Sequence, residues 1–236
     1  MGRDEPDRGA LIKYGVPAIQ NRGRTDQYGH FNYLYWSSAF FYGECLFQKT
    51  FSQSLIMEKR LFVNPAINDS AEFLKTSLET NGAYTLVEID LGKSDGPPLH
   101  FHKTFSEKFE VKEGVLYLQV GKEKKRLNIG ESVTVPAGTP HRFYNETDNK
   151  VKFHVTFSPG HTGMENFIKI FYGLAADGLT DKKGKPKKFA HLAVALTISD
   201  SNAPGWLSFL SPVIAGAARR ARKDGTEQWL LDRYCS

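Results

Sequence analysis

A chain of 236 residues that is 40% hydrophobic and 13% aromatic is long enough for one ordinary domain with appendages, and too apolar to be disordered throughout. The formal charge of +5 resides mainly in residues 160–236, where 11 basic side chains stand against 7 acidic ones; basic runs of this kind are solvated loops and faces, so no nucleic-acid partner is expected. Cys45 and Cys235 form neither a disulfide framework nor a Cys-x-x-Cys pair, no secretory signal follows Met1, and no apolar run reaches the roughly 20 residues that span a bilayer, which together favour a cytoplasmic protein.

Residues 1–56 carry a cluster of rings from Tyr28 to Phe51 with no period of 2 or 3.6, the mark either of an irregular cap or of sequence never selected to fold. Regular patterning starts after Met57-Glu58-Lys59-Arg60, so Met57 is a candidate natural start and 1–56 a candidate over-extension of the native protein. Residues 57–159 are expected to be all-β. Thr85, Val87, Ile89 and Leu91 share one strand face, and Val151, Phe153, Val155 and Phe157 share another, with Lys152, His154 and Thr156 opposite. Turns are marked by Asn81-Gly82, Asp95-Gly96-Pro97-Pro98, Glu113-Gly114, Asn128-Ile129-Gly130 and Ala137-Gly138-Thr139-Pro140. Short strands at this spacing favour an antiparallel sandwich or barrel.

Residues 160–236 are expected to form a helical extension. Thr162-Gly163-Met164-Glu165 has the form of a capping box, Met164, Phe167, Ile168, Phe171 and Leu174 make one apolar stripe, and Gly178 is a plausible stop. A second apolar stretch runs from Phe189 to Ile198. Ser211-Pro212 looks like the N-cap and first-turn proline of a further helix, and Thr226 to Tyr234 forms a last one. Trp206, Leu207, Phe209, Leu210, Val213 and Ile214 lie beside Arg219, Arg220, Arg222 and Lys223. That combination would suit weak membrane-surface association through 204–223, or packing on the barrel or a second subunit.

His100 and His102 are two apart in an extended segment, so their side chains leave the same face and reach one point. With Glu107 and His141 supplied by neighbouring strands, three imidazoles and one carboxylate suit Fe, Mn, Ni, Cu, Co or Zn as a divalent transition metal rather than calcium. Four protein ligands would leave an octahedral ion two positions for water or substrate.

These residues fall in two motifs. His100-Phe101-His102-Lys103-Thr104-Phe105-Ser106-Glu107 with Gly114 resembles the first cupin motif, H-x-H-x4-E-x6-G, and Gly130, Pro136, Gly138, His141 and Asn145 match every fixed position of the second, G-x5-P-x-G-x2-H-x3-N. One departure lies upstream, where the family often has glycine six residues before the first histidine and this chain has Ser94, with Gly92 and Gly96 nearby. The resemblance implies a mainly β fold, a cupin double-stranded β-helix or jelly-roll barrel with the helices as a C-terminal extension. It also implies His100, His102, Glu107 and His141 as metal ligands and a homodimer as the assembly. Asn145 is read as structural, and His161 and His191 as surface or packing residues.

Phe109, Tyr117, Phe143 and His154 are candidates for a pocket beside the metal, although such rings equally fill cores; Arg142 or Lys103 could meet an anionic group at its mouth. An aromatic pocket with one cation suggests a small, partly apolar ligand such as a phenolic or keto acid. The resemblance points to a dioxygenase-like metal-dependent oxidoreductase. A non-catalytic cupin that binds a sugar or small effector is the alternative, because one scaffold hosts many activities.

Overall fold

The computed structural model describes residues 59–236, within the compact unit Met57–Ser236; the expectations for residues 1–56 lie outside the described residues. Nine strands follow in chain order: β1 (Leu61–Asn64), β2 (Asp69–Lys75), β3 (Thr85–Leu91), β4 (Ser106–Glu113), β5 (Leu116–Val120), β6 (Glu123–Leu127), β7 (Ser132–Val135), β8 (His141–Tyr144) and β9 (Val151–Ser158). They form two antiparallel sheets, one in the order β1-β2-β3-β9-β4-β7 and one in the order β6-β5-β8. Strands distant in sequence are neighbours, as β9 lies between β3 and β4. The chain thus crosses repeatedly between sheets, as in a jelly roll.

Alternation explains why the sheets close on each other. Thr85, Val87, Ile89 and Leu91 are buried on β3, and Val151, Phe153, Val155 and Phe157 on β9, with half-buried residues between them. Their inward faces merge with Leu116, Leu118 and Leu127 of the smaller sheet into one core. Fully burying a Phe or Leu side chain stabilises by about 1.5–3 kcal/mol, so a one-residue slip of either central strand would forfeit several such terms at once.

Four α-helices follow: α1 (Thr162–Ala176), α2 (Phe189–Ile198), α3 (Ser211–Lys223) and α4 (Thr226–Tyr234), with a 3₁₀ turn at Gly205–Leu210. Helix α1 belongs to two cores. Met164 and Ile168 enter the barrel core, whereas Ile170 and Leu174 meet Val194, Ala221 and Leu230 of the later helices.

Two helix starts differ from expectation. Glu165 does not fold back to Thr162; its buried Oε1 accepts from the Ser77 amide and the Thr85 hydroxyl, each at 2.6 Å. With that carboxylate bound to the barrel, His161 becomes the N-cap and its Nδ1 accepts from the Met164 amide at 2.9 Å. Ser211 caps nothing either, because the chain enters α3 from the 3₁₀ turn through Leu210, already in right-handed helical geometry.

The turn that delivers the histidine segment depends on Gly96. Its φ is +67°, and a Cβ built there would lie 1.7 Å from the carbonyl oxygen of Phe143 on β8. Ser94 stands in regular backbone pairing with Asn145 at 3.0 and 2.9 Å, so the position six residues before His100 needs no glycine here. Gly121 has a similar φ of +58° with nothing within 4 Å of its would-be Cβ. We therefore expect Gly121→Ala to cost about 1 kcal/mol from backbone conformation alone, and Gly96→Ala to cost at least roughly 3 kcal/mol. Urea midpoints of the two variants check this, and equal midpoints would contradict it.

Candidate metal centre

His100 pairs with His141 across the edge of β8: the amide of each donates to the carbonyl of the other, at 3.0 and 2.7 Å. Directly opposed residues of an antiparallel pair carry their side chains on the same face, and the two rings accordingly lie 4.7 Å apart. His102, two residues on, adds its ring 4.9 Å from His100 and 5.6 Å from His141. One ligand nitrogen from each histidine lies within 4.8 Å of the other two. Small ring rotations close that spacing onto an ion with metal–nitrogen bonds of about 2.0–2.1 Å.

Glu107 reaches the same point from the other sheet. It is an inward-facing residue of β4, paired in register with Val135 and Phe157. Its carboxylate lies 2.9 Å from Nε2 of His141 and 3.4 Å from Nε2 of His102. His102, His141 and Glu107 are buried and His100 is half-buried.

The tautomers follow from the partners. Nδ1 of His100 faces the carbonyl of Pro98 at 2.8 Å, Nδ1 of His102 that of Asp200 at 3.2 Å, and Nδ1 of His141 that of Thr139 at 2.9 Å. A carbonyl oxygen only accepts, so each Nδ1 carries the hydrogen. In His100 and His102 the Nε2 lone pair is then directed at the centre. His141 donates at both nitrogens, to Thr139 and to Glu107, which makes it an imidazolium paired with a carboxylate in the metal-free protein.

Ionisation is consistent with that assignment. Burial by itself would raise the Glu107 carboxyl, but the His141 imidazolium at 2.9 Å outweighs it and holds the group below the usual carboxylate range, whereas His102, with its hydrogen on Nδ1, presents Glu107 only a lone pair at 3.4 Å. Burial by itself would lower His141, but its hydrogen bond and Coulomb attraction to Glu107, with the Thr139 carbonyl, leave it above the ordinary value. Burial pushes His100 down to about 4, more than the Coulomb attraction of Glu107 raises it, so it is neutral and ready to donate a lone pair.

These residues fit a divalent transition metal. The buried Nε2 of His102 makes no hydrogen bond among the described residues, with only the Glu107 carboxylate oxygen near it at 3.4 Å, a costly condition for a polar atom unless something else fills its coordination. Nitrogen donors beside one carboxylate are the borderline set such ions prefer.

The candidate pocket residues divide. Phe109 is fully buried 6.1 Å from the His141 ring, and Phe143 packs 5.9 Å from Phe109 and 5.3 Å from Phe153. These rings form an apolar floor beneath the histidines. Tyr117 stands on the other face of the smaller sheet, stacked on Tyr144, because it alternates with the inward Leu116 and Leu118. His154 alternates with Phe153 and Val155 in the same way and bonds Glu88 at 3.0 Å on the outer face of the larger sheet. Neither joins the histidine cluster.

Arg142 also faces outward, bonding Gln119 and lying over Tyr144. Asn145 ties turns together, donating to the carbonyls of Leu91 and Asn149 and accepting from Thr147. His191 is buried against Trp229 among the helices, and the His161 ring lies 4.7 Å from Phe105, which itself stacks on His102 at 4.4 Å. The residue that sequence reasoning missed is Asp200. It lies 98 positions beyond His102, in a turn with no periodic signal.

Residues 85–157 match the family model described as a cupin domain, so this chain carries a cupin domain. An epoxidase from Aspergillus terreus is 31% identical over 132 residues, covering 52% of this chain and 40% of that protein. A probable oxidoreductase from Hypocrea virens is 31% identical over 124 residues, covering 47% and 56%. A quercetin 2,3-dioxygenase from Bacillus subtilis is 34% identical over 73 residues, covering 31% and 22%. The chain spans about half or less of the length of these curated relatives.

The His141–Glu107 pair has a measurable signature. In Glu107→Gln the anion is gone while burial remains, so the His141 pKa should fall from above 6.5 to below it. Histidine NMR titration of metal-free protein reads this directly, and an unmoved His141 would refute the pairing.

Proposed function

We propose that this protein is a metal-dependent oxidoreductase of dioxygenase type acting on a small, partly apolar molecule such as a phenol or keto acid. The observation that carries the proposal is the aim of the imidazoles: backbone carbonyls hold Nδ1, and the buried Nε2 of His102 makes no hydrogen bond among the described residues. Oxidoreductase, epoxidase and dioxygenase relatives support the reaction class. His100, His102, His141 and Glu107 would hold the ion. Bound there, the metal would supply a Lewis acid with open positions for O2 or for an enolate or carbonyl oxygen.

The chain's own residues set the conditions for that chemistry. Phe109, Phe143 and Phe153 exclude water from one side of the centre and lower the local dielectric, which strengthens each charge contact within it. On metal uptake His141 must give up its Nε2 proton, so affinity should fall as pH drops below the raised His141 value.

Metal analysis of protein purified without added metal, followed by O2 uptake with a panel of phenolic and keto acids that includes quercetin, tests the proposal. About one bound ion per chain and metal-dependent O2 uptake are expected, both lost in His141→Ala. Saturable binding of a panel compound or sugar without turnover would favour the non-catalytic reading.

The C-terminal ridge favours a second, compatible proposal, that the protein associates weakly with anionic membrane surfaces. Trp206 is 75% exposed, Phe209 63% and Val213 58%, close in sequence to the basic end of α3; among the described residues no helix is long and apolar enough to cross a membrane. Flotation with anionic liposomes should be lost in Trp206→Ser/Phe209→Ser, and equal flotation of both proteins would remove the idea.

A further inference from the structure

The segment after α2 is joined to the histidine segment by a dense set of hydrogen bonds. Phe101 and Asn202 exchange backbone hydrogen bonds at 2.9 Å each. One carboxylate oxygen of Asp200 accepts from the amides of Lys103 and Thr104 at 2.6 and 3.0 Å and from the Thr104 hydroxyl at 3.0 Å. The Asn202 side chain donates to the Asp200 carbonyl at 2.7 Å and to its other carboxylate oxygen at 2.9 Å. That same carbonyl accepts from Nδ1 of His102.

The three histidines therefore differ in what holds them. His100 and His141 are tethered to carbonyls two residues away in their own segments, whereas the tether of His102 comes from 98 residues downstream. Asp200 also adopts φ +54°, a left-handed conformation uncommon outside Gly, Asn and Asp, which its surroundings must hold in place. Its four side-chain hydrogen bonds, one from Asn202 and three from residues 103 and 104, supply that hold.

We propose that Asp200 is a positioning residue for the metal centre: through residues 103 and 104 it fixes the carbonyl that sets the tautomer and aim of His102, so ion affinity depends on the C-terminal extension being docked. The inference rests on the metal reading above. Removing the carboxylate frees the 200–202 turn, the His102 ring loses its Nδ1 acceptor, and the ring is released to place a hydrogen on either nitrogen. A hydrogen on Nε2 blocks the lone pair that the ion requires.

Asp200→Gly is the informative variant, because glycine relieves the left-handed backbone while deleting the carboxylate. Asp200→Asn keeps one acceptor oxygen for residues 103 and 104. Zn²⁺ affinity, by competition with a chromophoric chelator, should fall about 10–100-fold in Asp200→Gly, as for other groups that orient metal ligands, with Asp200→Asn in between. In the metal-free proteins, ¹⁵N-histidine NMR should show His102 protonated at Nδ1 in wild type and as mixed tautomers in Asp200→Gly, with His141 unchanged. Should Asp200→Gly not fold, Asn202→Ala removes the Asn202 side-chain bonds to Asp200 and to the Phe101 carbonyl and is expected to produce the same changes in smaller degree. Zn²⁺ affinity within twofold of wild type, or a weaker affinity with the His102 spectrum unmoved, would overturn the proposal. Wild-type protein that takes up no Zn²⁺ would instead defeat the metal reading, and the His102 tautomer would still decide whether Asp200 orients that ring.

Discussion

A buried carboxylate meeting a buried imidazolium across the gap between two sheets is the constraint on which the centre depends. Glu107 comes from the larger sheet and His141 from the smaller, and they meet at 2.9 Å with almost no solvent around them. An isolated charge at that depth would cost several kcal/mol, so each group is tolerable only in the presence of the other or of an ion that replaces the proton between them. The closure of the barrel and the ionisation of the site are consequently one problem. The sheets pack in the register that makes the pair, and the pair is viable because the sheets exclude water.

The helical extension has a part in that arrangement. Helix α1 is tied to the barrel through Met164, Ile168 and the buried Glu165, and the turn after α2 is tied to the stretch that carries His102. An extension that merely covered a sheet edge would need apolar contact and no more. Here its backbone amides and carbonyls are paired with those of the histidine segment itself, beside a ligand whose buried Nε2 makes no hydrogen bond among the described residues.

Much of this was legible in the sequence, for identifiable reasons. Period-2 burial is strong in Thr85–Leu91 and Val151–Ser158 because both strands are central in the larger sheet. Helix α2 could be delimited from its apolar run alone, since it is enclosed by other helices. The spacing of His100 and His102, and the motif that carries His141, identified residues that do converge. What the sequence hid was partnership over distance. Thr162 and Glu165 have the pattern of a capping box, but a buried backbone amide at Ser77 outcompetes the local bond. Tyr117 and His154 look like pocket residues by chemistry, yet strand alternation turns them outward. Asp200 carries no local signal because its role is defined by residues 101–104, about a hundred positions earlier.

A cupin domain narrows the chemistry without choosing it, and relatives that match over part of their length narrow it little further. The decision lies in the coordination sphere. X-ray absorption spectroscopy of protein loaded with one equivalent of Co²⁺ or Zn²⁺ would count and identify the donors. Three imidazole nitrogens and one carboxylate oxygen, with the remaining donors from water, are the result expected; a sphere without the multiple-scattering signature of imidazole, or one containing sulfur, would contradict the account.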